Sequence, residues 1–93
     1  MDCCGDLSIH SFYSDPKYRY YSVRLDSFKN WGYGHIVDKI QLSRSGFYCK
    51  NDLDRVQCFA CNLILSKWDH NDVVSIEHAK FAPECLFLKM TIK

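Results

Sequence analysis

The stretch VQCFACNLILSKW, residues 56–68, decides the fold, because it joins a Cys-x-x-Cys pair to an apolar run. Sixteen residues after Cys61 comes His78, and six more precede Cys85, so the spacing reads C-x2-C-x16-H-x6-C from Cys58 onward. Three thiolates and one imidazole form the closed, tetrahedral donor set of structural zinc sites. The sequence therefore favours one structural zinc ion held by Cys58, Cys61, His78 and Cys85.

Two other interpretations of the cysteine pair stand beside zinc. A thioredoxin-like redox pair normally begins a helix inside a βαβ unit, whereas strand-like patterns flank Cys58 and Cys61. The second is a pair of buried thiols without metal. Zinc binding by small finger-like peptides is worth about 10–16 kcal/mol at neutral pH, at least as much as the roughly 5–15 kcal/mol net stability of a domain. We therefore expect the metal-free chain to be largely unfolded.

Composition bounds the class of protein. The 93 residues predict one domain, and a hydrophobic fraction of 47% favours folding over disorder. A net charge of +1 gives no electrostatic footprint for nucleic acid or a membrane surface. No apolar run reaches 18 residues, and the opening MDCCGDLSIH lacks the features of a secretory signal. Six cysteines with four histidines, and no secretory context, predict an intracellular and cytoplasmic protein.

The first half of the chain predicts an arm and two helices. Residues 1–14 show no period and are predicted to form a flexible N-terminal arm, with the zinc domain spanning 15–93. Asp15 and Pro16 predict a helix start. The apolar stripe of that helix is predicted at Tyr21, Leu25 and Phe28. A second helix is predicted to begin at the cap Asp38, to bury Ile40 and Leu42, and to end at Gly46.

The second half changes period. FYCK and RVQCF alternate around the turn-forming NDLD, which predicts a hairpin, and a third strand is expected at Leu63 to Ser66. VSIEHAKFA has a helical pattern that ends near Pro83, and ECLFLKM can form a last helical turn. The remaining cysteine and histidines are interpreted as a buried packing residue, Cys49, and as surface residues, His10, His35 and His70.

These features resemble a known family, the baculoviral inhibitor-of-apoptosis repeat or BIR domain. The matching motifs, from Arg24 to Leu88, are R-x-x-SF-x-x-W, SGFY, CF-x-C, EHAKFAPEC and FL, with the same zinc spacing. The resemblance implies a small α+β zinc-binding domain, in which a three-stranded antiparallel sheet and several short helices surround one structural zinc. It also implies a buried, hydrogen-bonded Arg24, which the residues alone would place on a solvated helix face.

The resemblance further implies a non-catalytic protein-binding module of an inhibitor-of-apoptosis protein. Such a module suppresses cell death by binding caspases or the N-terminal motifs, starting with a free alanine, of pro-apoptotic antagonists. Other inhibitor-of-apoptosis or signalling proteins are further expected partners. The sequence shows no nucleophile with a plausible base, so no enzyme activity is expected. Eight residues follow Cys85, too few for a RING domain.

In groove-type family members the peptide adds a strand to the third strand of the sheet. Carried over by motif, the strand wall is predicted at Ile64, Leu65, Ser66 and Lys67. Asp72 and Glu77 are predicted to bind the ammonium group, and Trp68 and Phe81 to shape the alanine pocket. The competing interpretations are a cap and an ordinary helix acid for the first pair, and core packing for the second.

The sequence departs from the groove pattern at several positions. Ile64 stands where groove-type domains usually have glycine, and Lys67 where strong binders often have an acid. Val73 and Val74 replace Asp-Pro, and Ala82 replaces an aromatic residue. A second hypothesis is therefore a BIR domain without a groove, a scaffold or oligomerisation module like survivin or the first repeats of longer members. A third, a nucleic-acid module, is disfavoured by the charge balance.

Overall fold

The computed structural model describes residues 2–3 and 16–91. A 3₁₀ helix spans Pro16–Arg19. The strands and α-helices, numbered in chain order, are β1 (Asp2–Cys3), α1 (Tyr21–Asp26), α2 (Lys39–Arg44), β2 (Phe47–Cys49), β3 (Val56–Cys58), β4 (Ile64–Ser66), α3 (Val74–Phe81) and α4 (Leu86–Thr91). Within the described ranges, no helix is long and apolar enough to cross a membrane.

The sheet has the order β1-β4-β3-β2, and each neighbouring pair is antiparallel. The predicted hairpin is present, with Phe47 opposite Cys58 and Cys49 opposite Val56. Its turn places Asn51 and Leu53 in the left-handed region, at φ +57° and +53°. The predicted three-stranded antiparallel sheet, β2 to β4, and the α+β class are confirmed.

The fourth strand, β1, lies inside the interval predicted to be a flexible arm. Asp2 pairs with Ser66 and Cys3 pairs with Leu65. At these two residues the structure departs from the prediction, because the open edge of β4 offers unpaired main-chain N–H and C=O groups to any extended segment. The rest of the predicted arm, its boundary at residue 15, His10 and the Asp15 cap lie outside the described residues.

The first predicted helix is divided in two. The 3₁₀ turn ends at Arg19, and α1 begins after Tyr20, whose ψ of 130° is extended. This break changes the phase of the helix, so the prediction of a Tyr21–Leu25–Phe28 stripe is wrong in part. Tyr21 is exposed and Leu25 half-buried, whereas Phe28, beyond the end of the helix, is fully buried.

Helix α2 matches its predicted signals except at one residue. Asp38 caps it by accepting a hydrogen bond from the main-chain N–H of Ile40 at 3.2 Å. Leu42 is fully buried, but Ile40 is 40% exposed, contrary to the prediction. Residues two apart on a helix point to different faces, so both could not face the core. Gly46 follows the helix with φ +92°, the left-handed stop that was predicted.

Arg24, in α1, contacts the 3₁₀ helix, α2, the turn after β3 and α4. It is 3% exposed, and its guanidinium lies 4.9 Å from the ring centre of Phe59 and 5.3 Å from that of Phe87. Burial lowers its pKa from the usual range. Its three hydrogen bonds go to the carbonyl oxygens of Ser43 (2.8 Å), Tyr18 (2.9 Å) and Arg19 (3.0 Å). The structural role implied by the resemblance is confirmed.

Candidate metal centre and peptide edge

Four elements bring the predicted zinc ligands together. Cys58 is the last residue of β3, and Cys61 lies in the turn that leads to β4. Asn62 closes that turn at φ +64°, with its N–H donating to the carbonyl of Cys58 at 2.9 Å. His78 projects from α3, and Cys85 immediately precedes α4. The end of β3 and the β3–β4 turn thus supply two sulfurs, and α3 and the residue before α4 supply the other two donors.

The donor atoms have the spacing of a tetrahedral site. All four lie within 4.8 Å of one another. The Sγ atoms of Cys58 and Cys85 are 3.8 Å apart, and Cys61 Sγ lies 3.5 Å from His78 Nε2. A tetrahedron with Zn–S bonds of about 2.3 Å has S···S edges of about 3.8 Å, and S···N edges slightly shorter. The cluster can therefore hold a metal ion, and its geometry fits zinc.

The electrostatics of the cluster also favour a cation. Hydrogen bonds to Cys61 and Cys85, together with burial, raise the pKa of the Cys58 thiol. The hydrogen bond from Cys58 lowers the pKa of Cys85. Without a metal, the sulfurs therefore share protons, because three thiolates cannot lie this close together unscreened. A divalent cation replaces those protons and removes the repulsion.

The imidazole of His78 is positioned by packing. It is fully buried and its ring centre lies 4.5 Å from that of Phe47. Its Nδ1 atom has no hydrogen-bond partner among the described residues. The N–H of Ala60 donates to Cys58 Sγ at 3.4 Å, a contact that stabilises negative charge on the sulfur. With four protein donors the site is closed, so a bound metal has no open position for water.

Residues 64–66, the β4 edge, form the centre of the predicted peptide wall. Leu65 is fully buried and Ser66 is 4% exposed, whereas Ile64 is half-buried. Leu65 belongs to the core cluster with Val56 and Trp68. Its side chain therefore cannot line a peptide site, and its contribution to the β4 edge is its main chain.

Lys67, the last residue of the predicted wall, lies beyond the end of β4. Its φ of +58° turns the chain out of the strand. The main-chain N–H groups of Lys67 and Trp68 both donate to the carboxylate of Asp54, at 3.0 and 2.9 Å. Asp54, which the sequence indicated only as a turn former, thereby ends β4 at Ser66. β4 is therefore three residues long.

The two aromatic residues of the predicted alanine pocket differ in burial. Trp68 is 5% exposed and its ring meets that of Phe47 edge to face at 6.2 Å. Its Nε1–H is buried with no hydrogen-bond partner among the described residues. Phe81 is half-buried and packs against the core. Core packing is therefore part of the role of both, and Trp68 also carries an unsatisfied donor.

The two predicted ammonium-binding acids also differ. A carboxylate oxygen of Asp72 accepts from the main-chain N–H of Asp69 at 2.8 Å, which fixes the loop after β4. The side chain of Glu77, in α3, is only 13% exposed, and its Oε1 atom lies 3.7 Å from Lys80 Nζ. That oxygen is buried without a hydrogen-bond partner among the described residues. Glu77 is therefore a negatively charged acceptor with unused capacity.

The family model described as BIR, Inhibitor of Apoptosis domain, matches residues 24–89, which include all four candidate ligands. The chain belongs to the BIR family. A BIR domain is a protein-interaction module of inhibitor-of-apoptosis proteins, and in this one the metal cluster and the β4 edge are two residues apart, between Cys61 and Ile64.

Several curated proteins are similar to this BIR domain. An E3 ubiquitin-protein ligase XIAP of Xenopus tropicalis is 36% identical over 91 residues, covering 95% of this chain and 18% of that protein. A putative apoptosis inhibitor, ORF99 of Ostreid herpesvirus 1, is 40% identical over 84% of this chain and 31% of its own length. The chain thus spans less than a third of the length of these relatives.

Solved structures share the fold. The DIAP1 BIR1 domain bound to a Grim peptide superposes with a TM-score of 0.75 at 29% identity, covering 86% of this chain and 79% of that one. The autoinhibited dIAP1-BIR1 domain gives a TM-score of 0.72 at 30% identity, covering 78% of this chain and 70% of that one. Both neighbours are BIR1 domains.

Proposed function

We propose that this BIR domain is a non-catalytic peptide-binding module of an inhibitor-of-apoptosis protein. It captures segments that begin with a free alanine, which caspases or pro-apoptotic antagonists expose. It carries one structural zinc ion and acts inside the cell, in the reducing cytoplasm where thiolates remain available to a metal. The closed cluster and the absence of a nucleophile–base pair in the sequence support a binding role over an enzymatic one.

The zinc ion is assigned to Cys58, Cys61, His78 and Cys85. When bound, it supplies a charge-neutralising crosslink rather than a reactive centre. The residues themselves determine its architectural effect. A bound zinc ion would join the sulfurs of Cys58 and Cys61, at the β3–β4 turn, to His78 of α3 and Cys85 before α4, and so fix α3 against the sheet. Glu77, next to His78, is thereby held in place.

One observation carries the peptide-binding assignment: within the described part of the chain, Glu77 Oε1 and Trp68 Nε1 are buried without a hydrogen-bond partner, although Lys80 Nζ lies 3.7 Å from Glu77 Oε1. A buried acceptor or donor left unsatisfied destabilises a protein by about 1–3 kcal/mol, so a ligand that supplies the missing hydrogen bonds is stabilised at these two atoms. A peptide amine can donate to the carboxylate of Glu77, and a peptide carbonyl can accept from Trp68. The β4 edge supplies main-chain hydrogen bonds for the residues that follow.

The solved neighbour supports the same assignment. That neighbour is a first-repeat BIR domain with a Grim peptide bound, and its 29% identity extends over most of this chain. A first-repeat character is therefore compatible with peptide binding. The alternative, a scaffold without a groove, is not favoured, because it leaves Glu77 and Trp68 unexplained. Ile64 and Lys67 then affect which peptides fit rather than whether one binds.

The direct test is a calorimetric titration of the zinc-loaded chain with two peptides of one sequence. The first begins with a free-amino alanine, and its twin is N-acetylated. We expect binding of the free form alone, because acetylation removes the positive charge that Glu77 accepts. A third peptide that begins with a free-amino leucine tests the pocket, and weaker binding is expected.

Two results would overturn the proposal. Equal affinity for the free and acetylated peptides would show that no carboxylate binds the peptide's terminal amine. Failure of the folded, zinc-loaded chain to bind any of the peptides at millimolar concentration would restore the scaffold hypothesis. Circular dichroism and a zinc assay on the same sample establish that the protein tested is folded.

A further inference from the structure

The outer edge of β4 is already paired. Asp2 lies opposite Ser66 and Cys3 lies opposite Leu65, so β1 covers two of the three residues of the β4 edge. β3 pairs with the other side of β4, through Val56 opposite Leu65 and Gln57 opposite Ile64. A strand has only two hydrogen-bonding sides. A peptide that adds to β4 must therefore take the place of β1.

The direction of β1 is also that required of a peptide. The pairing is antiparallel, and Asp2 is the residue opposite Ser66, so β1 runs from the carboxyl end of β4 toward its amino end. Trp68 and Asp72 follow the carboxyl end of β4 in the chain. A peptide that pairs antiparallel with β4, with its amine at that carboxyl end, runs the same way as β1. β1 thus has the polarity, as well as the position, of a bound peptide strand.

We propose that Asp2–Cys3 is a built-in competitor of the peptide site, an autoinhibitory strand that must leave β4 before an external peptide binds. This inference rests on the proposed function. It adds that the free chain exists in a closed form, with β1 paired, and an open form that accepts peptide. The apparent dissociation constant equals the intrinsic one divided by the open fraction. Any event that releases residues 2–3 from β4 then increases the affinity of the chain for an external peptide.

The pairing is suited to reversible competition because it is short. β1 contains two residues, and in an antiparallel pair only one of two successive residues directs its N–H and C=O at the neighbouring strand. A peptide that spans Ile64 to Ser66 can form a longer ladder and adds a charged contact with Glu77. An external ligand therefore replaces β1 without unfolding any other element.

The test uses the full chain with Asp2→Pro and Cys3→Pro together, because proline lacks the N–H that a strand ladder needs. The matched control carries Asp2→Ala and Cys3→Ala, which changes the same side chains and keeps both N–H groups. Each protein is titrated with the free-amino alanine peptide. We expect the proline variant to bind about threefold or more tightly than the parent chain, and the alanine variant to bind like the parent.

Equal affinity of all three proteins overturns the autoinhibitory strand and leaves the proposed function intact. A proline variant that gains affinity only at high protein concentration also overturns it, because the strand would then act on a second copy. If none of the proteins binds the peptide, the proposed function fails instead. Amide hydrogen exchange separates the cases without peptide: exchange at residues 64–66 should accelerate in the proline variant alone, and unchanged exchange rejects β1 pairing.

Discussion

The metal cluster and the β4 edge are neighbours in the chain, yet they are specified differently. The cluster is made of side chains, and each of its four donors has a chemistry that few residues can supply. The edge is made of main chain, and Leu65 contributes no exposed side chain at all. Cysteine and histidine spacing therefore predicts the first, whereas the second consists of main-chain groups that every residue type carries.

Loss of the metal centre should have the largest effect, because it should unfold both the metal cluster and the β4 edge. Cys85→Ser removes a thiolate from the closed set, and we expect the chain to lose its fold, because zinc contributes about as much as the whole net stability. Circular dichroism and zinc content measure the loss. Cys49→Ala is the control, since Cys49 is buried outside the cluster, and it should stay folded with zinc bound. A Cys85→Ser protein with a native spectrum would refute the structural role.

Arg24→Met should destabilise the fold around the metal cluster without changing any of the four metal-binding residues. The substitution keeps much of the buried bulk but leaves three main-chain carbonyls without their donor. We expect the free energy of unfolding to fall by about 3 kcal/mol in a urea titration. Arg44→Met on the exposed face of α2 is the control and should change it by less than about 0.5 kcal/mol. Similar losses in the two variants would remove the special role of Arg24.

Gly46→Ala should have a smaller effect on the stability of the fold around the metal cluster. Gly46 has φ +92°, and an added Cβ would lie 3.0 Å from Phe87 Cδ2 and 3.4 Å from Cys58 Sγ. Strain and crowding together should lower the free energy of unfolding by about 1–3 kcal/mol, measured by thermal or urea denaturation. Gly34→Ala, where a Cβ would meet nothing within 4 Å, should be neutral or slightly stabilising. An unchanged Gly46→Ala protein would contradict the close packing behind the cluster.

Glu77→Ala should weaken peptide binding without affecting the metal cluster, and so separate the two regions. We expect zinc content and the fold to be retained, while the free-amino alanine peptide binds about tenfold more weakly, because one charged hydrogen bond is lost. Glu84→Ala, an exposed glutamate that pairs with Lys89, should bind the peptide like the parent chain. Equal affinities in calorimetry would remove Glu77 from the ammonium site.

Much of the fold could be predicted from local sequence signals. The hairpin turn, the Asp38 cap, the Gly46 stop and the C-terminal helix near Pro83 all rest on residues close together in the chain, and all are present. The errors lie where a small rotation of a helix about its axis changes which side chains face the core. The extended Tyr20 rotates α1 relative to an unbroken helix and so exposes Tyr21.

The peptide edge could be predicted only in outline. No local signal shows that Asp54, fourteen residues before Trp68, caps the end of β4, because that contact depends on the folded hairpin. The pairing of Asp2–Cys3 with β4 is a main-chain contact across more than sixty residues, and two residues are too few to show a strand period. The burial of Trp68 Nε1 and Glu77 Oε1 without hydrogen-bond partners among the described residues likewise depends on packing that spacing does not reveal.

The most direct measurement of the peptide site follows the indole N–H signals of the two tryptophans by NMR. Trp31 Nε1–H already donates to the carbonyl of Val37 at 3.0 Å, whereas Trp68 Nε1–H has no partner among the described residues. Addition of the free-amino alanine peptide should shift the Trp68 indole signal and leave that of Trp31 in place. A shift of Trp31 alone, or of neither while peptide is bound, would contradict a peptide site at β4.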